Sequence, residues 1–372
     1  MGLTEEVLYC IGCGASLQTD QPKERGYTPK SAYDKGVESG ELYCQRCFKL
    51  RHYNQLEKVQ MTPAEFRQIL HEISEDDALI VNVIDIFDVQ STIIPALERL
   101  VGNNDIVFVA NKVDLLPSDV KSSKIEAWLK KYLKDQGFKA RNVFLTSAVK
   151  NKAIDDLFSF IDQHRKGRNV YIVGVSNVGK STLINSMLRA QGFSDSVITT
   201  SQFPGTTLDL IKIPFDEASD LIDTPGILKD SQMTSLLDYK SIEQILPQKR
   251  IKPRTFQLNP GQSLFLGGMA RFDYLEGDKQ GVTVYLSNQV DIHRRKTEGS
   301  DEFLAKHQGG LLTPPSASEV ERFPDLVGQV YTIKAPCDLV IAGLGWLSIK
   351  KPGKVAIYAP KTVDIFQRKP LI

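Results

Sequence analysis

A chain of 372 residues has room for two or three domains of about 100–200 residues each. Its 46 basic and 45 acidic residues leave a formal charge of +1, so no global field selects a nucleic-acid partner, no DNA partner is expected, and any RNA contact needs a local patch. No apolar run reaches the ~18–20 residues of a membrane span, and the N-terminus lacks a basic-plus-apolar signal segment, which predicts a cytoplasmic protein with no membrane partner.

Four of the five cysteines form two Cys-x-x-Cys pairs, Cys10/Cys13 and Cys44/Cys47. Two such knuckles supply four thiolates for a tetrahedral Zn²⁺, and the polar segment between them has too few apolar residues to build a core without metal. Structural zinc is therefore expected, with a redox pair or surface thiols as alternatives. The lone Cys337 reads as a small buried residue.

Apolar residues at Phe66, Ile69, Leu70 and Ile73 predict a helix over 61–75. The run 78–85 predicts a buried parallel strand whose end carries Asp85 and Asp88, two acids that could bind metal, with strand-end solvation or a helix cap at Asp88 the expected role. A short helix is expected near 95–100, then a second strand over 105–110. That strand runs into Asn111-Lys112-Val113-Asp114, an N-K-x-D pattern. Asp114 suits the N1–H and N2 donors of guanine, Asn111 the base N7, and the Lys112 stem the ring face. A base without those donors leaves the carboxylate unpaired, which makes the choice selective. After a helix over 122–134 and a strand over 142–145 comes Thr146-Ser147-Ala148, similar to the second guanine loop of GTPases.

A helix over 154–164 and a strand over 170–173 lead to Gly174-Val175-Ser176-Asn177-Val178-Gly179-Lys180-Ser181-Thr182, which matches G-x-x-x-x-G-K-[ST] at each fixed position. Backbone N–H groups of such a loop cradle phosphate, Lys180 reaches the β- and γ-phosphates, and Ser181 offers a Mg²⁺ ligand. Pro204-Gly205-Thr206-Thr207 resembles a first switch, with Thr207 the expected Mg²⁺ ligand and Thr206 the fallback. Asp223-Thr224-Pro225-Gly226 resembles a second, Asp223 holding Mg²⁺ through water and the Gly226 N–H sensing γ-phosphate. The guanine motifs precede the phosphate motifs. That rotated order predicts a circularly permuted α/β P-loop domain, in which the chain leaves the domain just after the second switch.

Beyond residue 229 an amphipathic helix is expected over 233–246, then a mostly antiparallel β domain. Its strands are read over 263–275, 282–287, 330–333, 339–349 and 355–359, with a helix-plus-loop excursion over 299–323. Basic residues gather at 249–254, at His293, Arg294, Arg295 and Lys296, and at Lys350, Lys351 and Lys354. Phe265, Phe272, Tyr274 and Tyr285 interleave with them. They are either an RNA-stacking face or core.

The paired cysteines, the rotated motif order and the β-rich end together resemble the YqeH family of circularly permuted GTPases over essentially the whole chain. The resemblance implies domains at 1–58 (zinc finger), 59–228 (GTPase) and 229–372 (RNA or protein binding). It also implies GTP/GDP, Mg²⁺ and Zn²⁺ as ligands and a role in assembling the small (30S) ribosomal subunit, with the particle or its rRNA as partner. Ile227 stands where Ras-like proteins place a water-orienting glutamine, so slow unaided hydrolysis is expected. Asn177 looks like the asparagine of K⁺-stimulated GTPases. Lys180, Asn177, Thr207 and Gly226 are the residues expected to act in hydrolysis. The alternative is an RNA-binding scaffold that uses the nucleotide only as a structural or sensing ligand.

Overall fold

The computed structural model describes residues 8, 17–21, 26–39, 42–45, 63–192, 211–216, 218–224, 226 and 229–372. Cys10, Cys13, Cys47, Thr206, Thr207 and Ile227 lie outside the described residues.

Strand β1 (Ala78–Asp85) is buried along its whole length. Near-continuous apolar sequence is what a parallel strand covered on both faces requires. It pairs in parallel with β2 (Asp105–Asn111) on one side and β4 (Asn169–Val173) on the other. The six-stranded order is β3-β2-β1-β4-β6-β5, with β3 (Asn142–Leu145), β5 (Ile211–Pro214) and β6 (Asp220–Asp223). Only β5 runs antiparallel to its neighbour. The chain moves outward from β1 through β2 to β3, then returns to place β4 on the opposite side of β1. That reversal opens a crevice at the carboxyl ends of the strands, where ligands of such sheets bind. Amphipathic helices cover the sheet. In the helix Ser122–Asp135, for example, Ile125, Leu129 and Leu133 recur every four residues and are buried.

The second unit stacks two five-stranded antiparallel sheets, β18-β15-β16-β10-β7 and β11-β8-β9-β17-β14. Its strands are β7 (Arg254–Leu258), β8 (Gln262–Leu266), β9 (Ala270–Gly277), β10 (Gln280–Leu286), β11 (Ile292–Lys296), β14 (Leu326–Ile333), β15 (Cys337–Ile341), β16 (Gly345–Ile349), β17 (Gly353–Pro360) and β18 (Ile365–Arg368). The small pair β12 (Gln308–Gly309) and β13 (Leu312–Ser316) follows the helix Ser300–His307.

Several expectations change. The spans 263–275 and 339–349 are each a hairpin rather than one strand. The helix expected over 233–246 is a 3₁₀ turn, Met233–Leu236, followed by the helix Tyr239–Ile245, because Leu237 and Asp238 are extended. The Asp238 amide there donates to Glu319. The basic stretch 293–296 lies in strand β11, whose exposed residues Arg294, Arg295 and Lys296 are charged, and the stretch 249–254 runs into β7, whose exposed residues are Thr255 and Gln257. Phe265, Phe272, Tyr274 and Tyr285 are all buried, so the interleaved aromatics are core and not a stacking face.

The two units share a seam. Ile251, Tyr285, Val340, Trp346 and Leu371 pack into the core of the α/β unit. Trp346 stacks on Tyr285 at 4.7 Å between ring centroids and meets Phe87 at 5.0 Å.

Candidate functional site

The carboxyl ends of β1, β2, β4 and β6 converge on the loop 174–179. Lys180, the first residue of the helix Lys180–Ala190, is buried, and its ammonium donates to the carbonyls of Gly174 (2.9 Å) and Val175 (3.4 Å). Burial pulls its pKa down while the Asp223 carboxylate opposes that shift. Gly179 has φ +90°, and a Cβ there would stand 2.6 Å from Asn111 Nδ2, so only glycine lets the loop pass this close to β2.

The N-K-x-D residues grip that loop. Asn111 Nδ2 donates to the Val178 carbonyl at 3.0 Å, and its Oδ1 accepts the Ala148 amide at 3.1 Å. Lys112, left-handed at φ 68°, donates to the Asn177 carbonyl at 2.5 Å and pairs with Asp85 at 2.7 Å. Asp114 Oδ1 accepts the Ser147 hydroxyl at 2.6 Å. Asn111, Lys112, Asp114, Ser147 and Ala148 are thus brought together with Asn177, Val178 and Gly179, across a sequence separation of 65 between Lys112 and Asn177.

At the other end of the loop, Ser181 Oγ donates to Asp223 Oδ2 at 3.3 Å. Burial pushes the Asp223 carboxyl up to about 6, against the Lys180 charge and the Ser181 hydroxyl. Ser176 Oγ donates to the Gly226 carbonyl at 3.1 Å, and a Cβ on Gly226 would come within 2.9 Å of Lys180 Nζ. Thr182 is exposed on the first turn of the helix.

Asp85, a strand-end acid in the sequence, has a role that the sequence did not indicate, the ion pair with Lys112. Asp88 was the expected cap, but its side chain makes no capping bond. Asp85 caps the following turn instead, accepting the Phe87 amide at 2.9 Å. The signal was positional, since Asp85 ends the strand beside the one that carries Asn111.

The sequence family described as "YqeH-like, C-terminal" matches residues 279–371, and "50S ribosome-binding GTPase" matches residues 169–251. The protein named YqeH of Bacillus subtilis is 44% identical over 99% of this chain and 100% of its own length. The chain belongs to the YqeH family of GTPases. A rice relative named putative nitric oxide synthase is 31% identical over 97% of this chain and 77% of its own. GDP-bound YlqF, a solved structure, covers 49% of this chain and 70% of its own at 22% identity, with a TM-score of 0.30.

Membership of the YqeH family makes GTP the substrate and Mg²⁺ its companion, and the residues present fit both. Asp223 Oδ1 is buried with no hydrogen-bond partner among the described residues, beside the Ser181 hydroxyl. That is the oxygen donor set a hard divalent cation takes. Cys44 is buried. Among the described residues no group of three His, Cys, Asp or Glu side chains could hold a metal, and the other three paired cysteines lie outside them. No helix among the described residues is long and apolar enough to cross a membrane.

Proposed function

We propose that this chain is a cytoplasmic GTP-hydrolysing switch that assists assembly of the small ribosomal subunit. The observation that carries the switch reading is the interlock in which Asn111 and Lys112 hold the loop 174–179 while Asn111 accepts the Ala148 amide, which joins base and phosphate recognition in one crevice. Asp114 reads guanine, with the Ser147 and Ala148 loop beside it. Gly174, Ser176, Asn177, Val178, Gly179, Lys180, Ser181 and Thr182 hold the phosphates. Ser181, Asp223 and Thr207 hold Mg²⁺, with Thr206 the fallback for Thr207. When bound, Mg²⁺ neutralises phosphate charge.

For hydrolysis, the loop amides and Lys180 take up the charge that grows on the phosphates. The Lys180 ammonium donates to the Gly174 and Val175 carbonyls, which holds it at the root of the loop that takes the phosphates. Gly226 lies against Lys180 and Ser176, so its amide can report the γ-phosphate to the segment that enters the β unit. Ile227 has no group to orient water, so the unaided rate is slow and help comes from outside, with K⁺ at Asn177 one source.

Three domains at 1–58, 59–228 and 229–372 are the working division, the first held by Zn²⁺ on Cys10, Cys13, Cys44 and Cys47. Because Phe265, Phe272, Tyr274 and Tyr285 are core, RNA contact by the β unit would rest on its basic surface and the phosphates rather than on stacking by those rings. The exposed edge residues Arg294, Arg295 and Lys296 of β11 suit that role. The deciding experiment is co-sedimentation with purified 30S and 50S particles under a non-hydrolysable GTP analogue and under GDP. The expected result is analogue-dependent pelleting with 30S. Pelleting with 50S alone, or none that depends on nucleotide, would overturn the reading.

A further inference from the structure

The turn that follows β1 links two regions that the GTPase reading treats separately. Asp85 splits its carboxylate between them. Its Oδ2 pairs with Lys112 at 2.7 Å, and its Oδ1 caps the turn Ile86–Asp88 through the Phe87 amide at 2.9 Å. Lys112 in turn holds the Asn177 carbonyl from a left-handed backbone, a conformation a lysine keeps only where its surroundings fix it. Three residues beyond Asp85 the buried Asp88 carboxylate accepts the Ser91 hydroxyl and, at 2.7 Å, the Gly343 amide of the β unit. Ser91 Oγ accepts Gln232 Nε2 at 2.8 Å. Gln90 Oε1 accepts Arg368 Nη1 at 2.7 Å.

Arg368 is where the units meet. Its guanidinium lies 5.2 Å from the Trp128 ring of the α/β unit and 5.0 Å from the Trp346 ring of the β unit. Asp88 Oδ1, Gln90 Nε2, Asp338 Oδ1, Trp346 Nε1 and Arg368 Nη2 are all buried here without a hydrogen-bond partner among the described residues. Polar groups desolvated without compensation do not describe a seam at its tightest.

We propose that Asp85 is a positioning residue for guanine-nucleotide binding. It holds Lys112 against the phosphate loop and, by capping the turn that carries Asp88, couples the placement of the base loop to the seat of the β unit. This rests on the guanine reading of the site. The path starts at the base end of the crevice, so GDP engages it as well as GTP. It is distinct from any signal that passes through Gly226 and needs γ-phosphate.

The chain provides its own probe, since its two tryptophans are the pair that flanks Arg368. The test uses the full chain. Calorimetry measures GDP affinity, and tryptophan emission at saturating GDP reads the seam. In the unmodified protein GDP is expected to change the emission. D85N retains an acceptor for the Phe87 amide but loses the ion pair. It is expected to bind GDP about tenfold more weakly and to lose the emission change at saturation. D85E should recover part of both. D88N should bind GDP as the unmodified protein does and lose the emission change. A D85N chain that does not fold leaves D85E and D88N with the same two readouts. The proposal is overturned if the unmodified protein binds GDP with no emission change, or if D85N or D88N keeps the full change. No calorimetric binding by the unmodified protein would overturn the guanine reading itself and this proposal with it.

Discussion

Asn111 donates through Nδ2 to the backbone carbonyl of Val178 at 3.0 Å, across a sequence separation of 67 residues. The same carboxamide accepts the Ala148 amide, so one buried side chain joins the two guanine loops to the phosphate loop. Replacing it with alanine strands a buried carbonyl and a buried amide. Each stranded group costs about 1–3 kcal/mol. Asn111→Ala should therefore lose at least about 2 kcal/mol of stability in a denaturant titration of the nucleotide-free protein, and bind GDP at least about tenfold more weakly. A stability change below about 0.5 kcal/mol would show that the loops are held by something else.

Glu319 makes the β unit sensitive to acid. Burial raises its carboxyl, but the Ser241 and Ser316 hydroxyls and the Asp238 and Ser316 amides outweigh burial and hold it at about 2. A carboxylate whose folded pKa lies below its unfolded value adds stability above the unfolded pKa and loses it as pH falls through the folded one. The window here runs from about 4.5 down to about 2. In Glu319→Gln, Tm should be lower than in the unmodified protein at pH 7, with the gap closing across that window. A gap independent of pH would count against an ionised Glu319 holding these loops.

The α/β half was legible because its signals are local. β1, β2 and β4 are near-continuous apolar runs, and the loops beyond β2 and β4 carry fixed spacings of asparagine, lysine, aspartate and glycine. The β half was less so. β11 reads Ile-His-Arg-Arg-Lys, a charge run by composition, yet it is an edge strand whose outward residues face solvent. The turns inside 263–275 and 339–349 interrupt apolar sequence without changing its character, so two hairpins read as two strands. The partners of Asp85 and Arg368 were not legible in the sequence. One has its meaning from a neighbouring strand, the other from a tryptophan on each side of a seam formed by distant segments.

That seam yields a third expectation. Arg368 Nε lies 3.3 Å from Asp338 Oδ2, with both side chains almost wholly enclosed. Burial pulls the arginine down and its carboxylate partner opposes that shift. Removing one member of such a pair leaves the other charge uncompensated, at about 3–5 kcal/mol, whereas replacing both is far milder. Arg368→Met should therefore destabilise strongly, and Arg368→Met with Asp338→Asn should recover at least about half the loss. Simple additivity in the double-mutant cycle would argue that the two charges do not support each other.

Zinc supplies a fourth. If Cys10, Cys13, Cys44 and Cys47 close one tetrahedral site, elemental analysis should find one zinc per chain, and Cys44→Ser should lose it. Chelation should expose the N-terminal segment to protease while leaving GDP binding by the 59–228 region intact, because a structural zinc module folds only with its metal. Full protease resistance after zinc removal would sink the assignment.

The last expectation concerns how the chain hydrolyses GTP with Ile227 in place of a water-orienting glutamine. Asn177 sits at φ 66° on the exposed rim of the phosphate loop, with its backbone carbonyl already committed to Lys112. Its side-chain oxygen is therefore the atom that remains for a cation. A monovalent ion held there would place positive charge where negative charge grows between the β- and γ-phosphates. Charge in a preorganised site acts on the transition state more than on the ground state. At saturating GTP, turnover in KCl should exceed turnover in NaCl by roughly tenfold, equivalent to about 1.4 kcal/mol of barrier. Asn177→Ala should remove the difference by lowering the KCl rate to the NaCl rate. Equal rates in the two salts for the unmodified protein would exclude K⁺ as the missing help. The stabilising charge would then have to come from a partner.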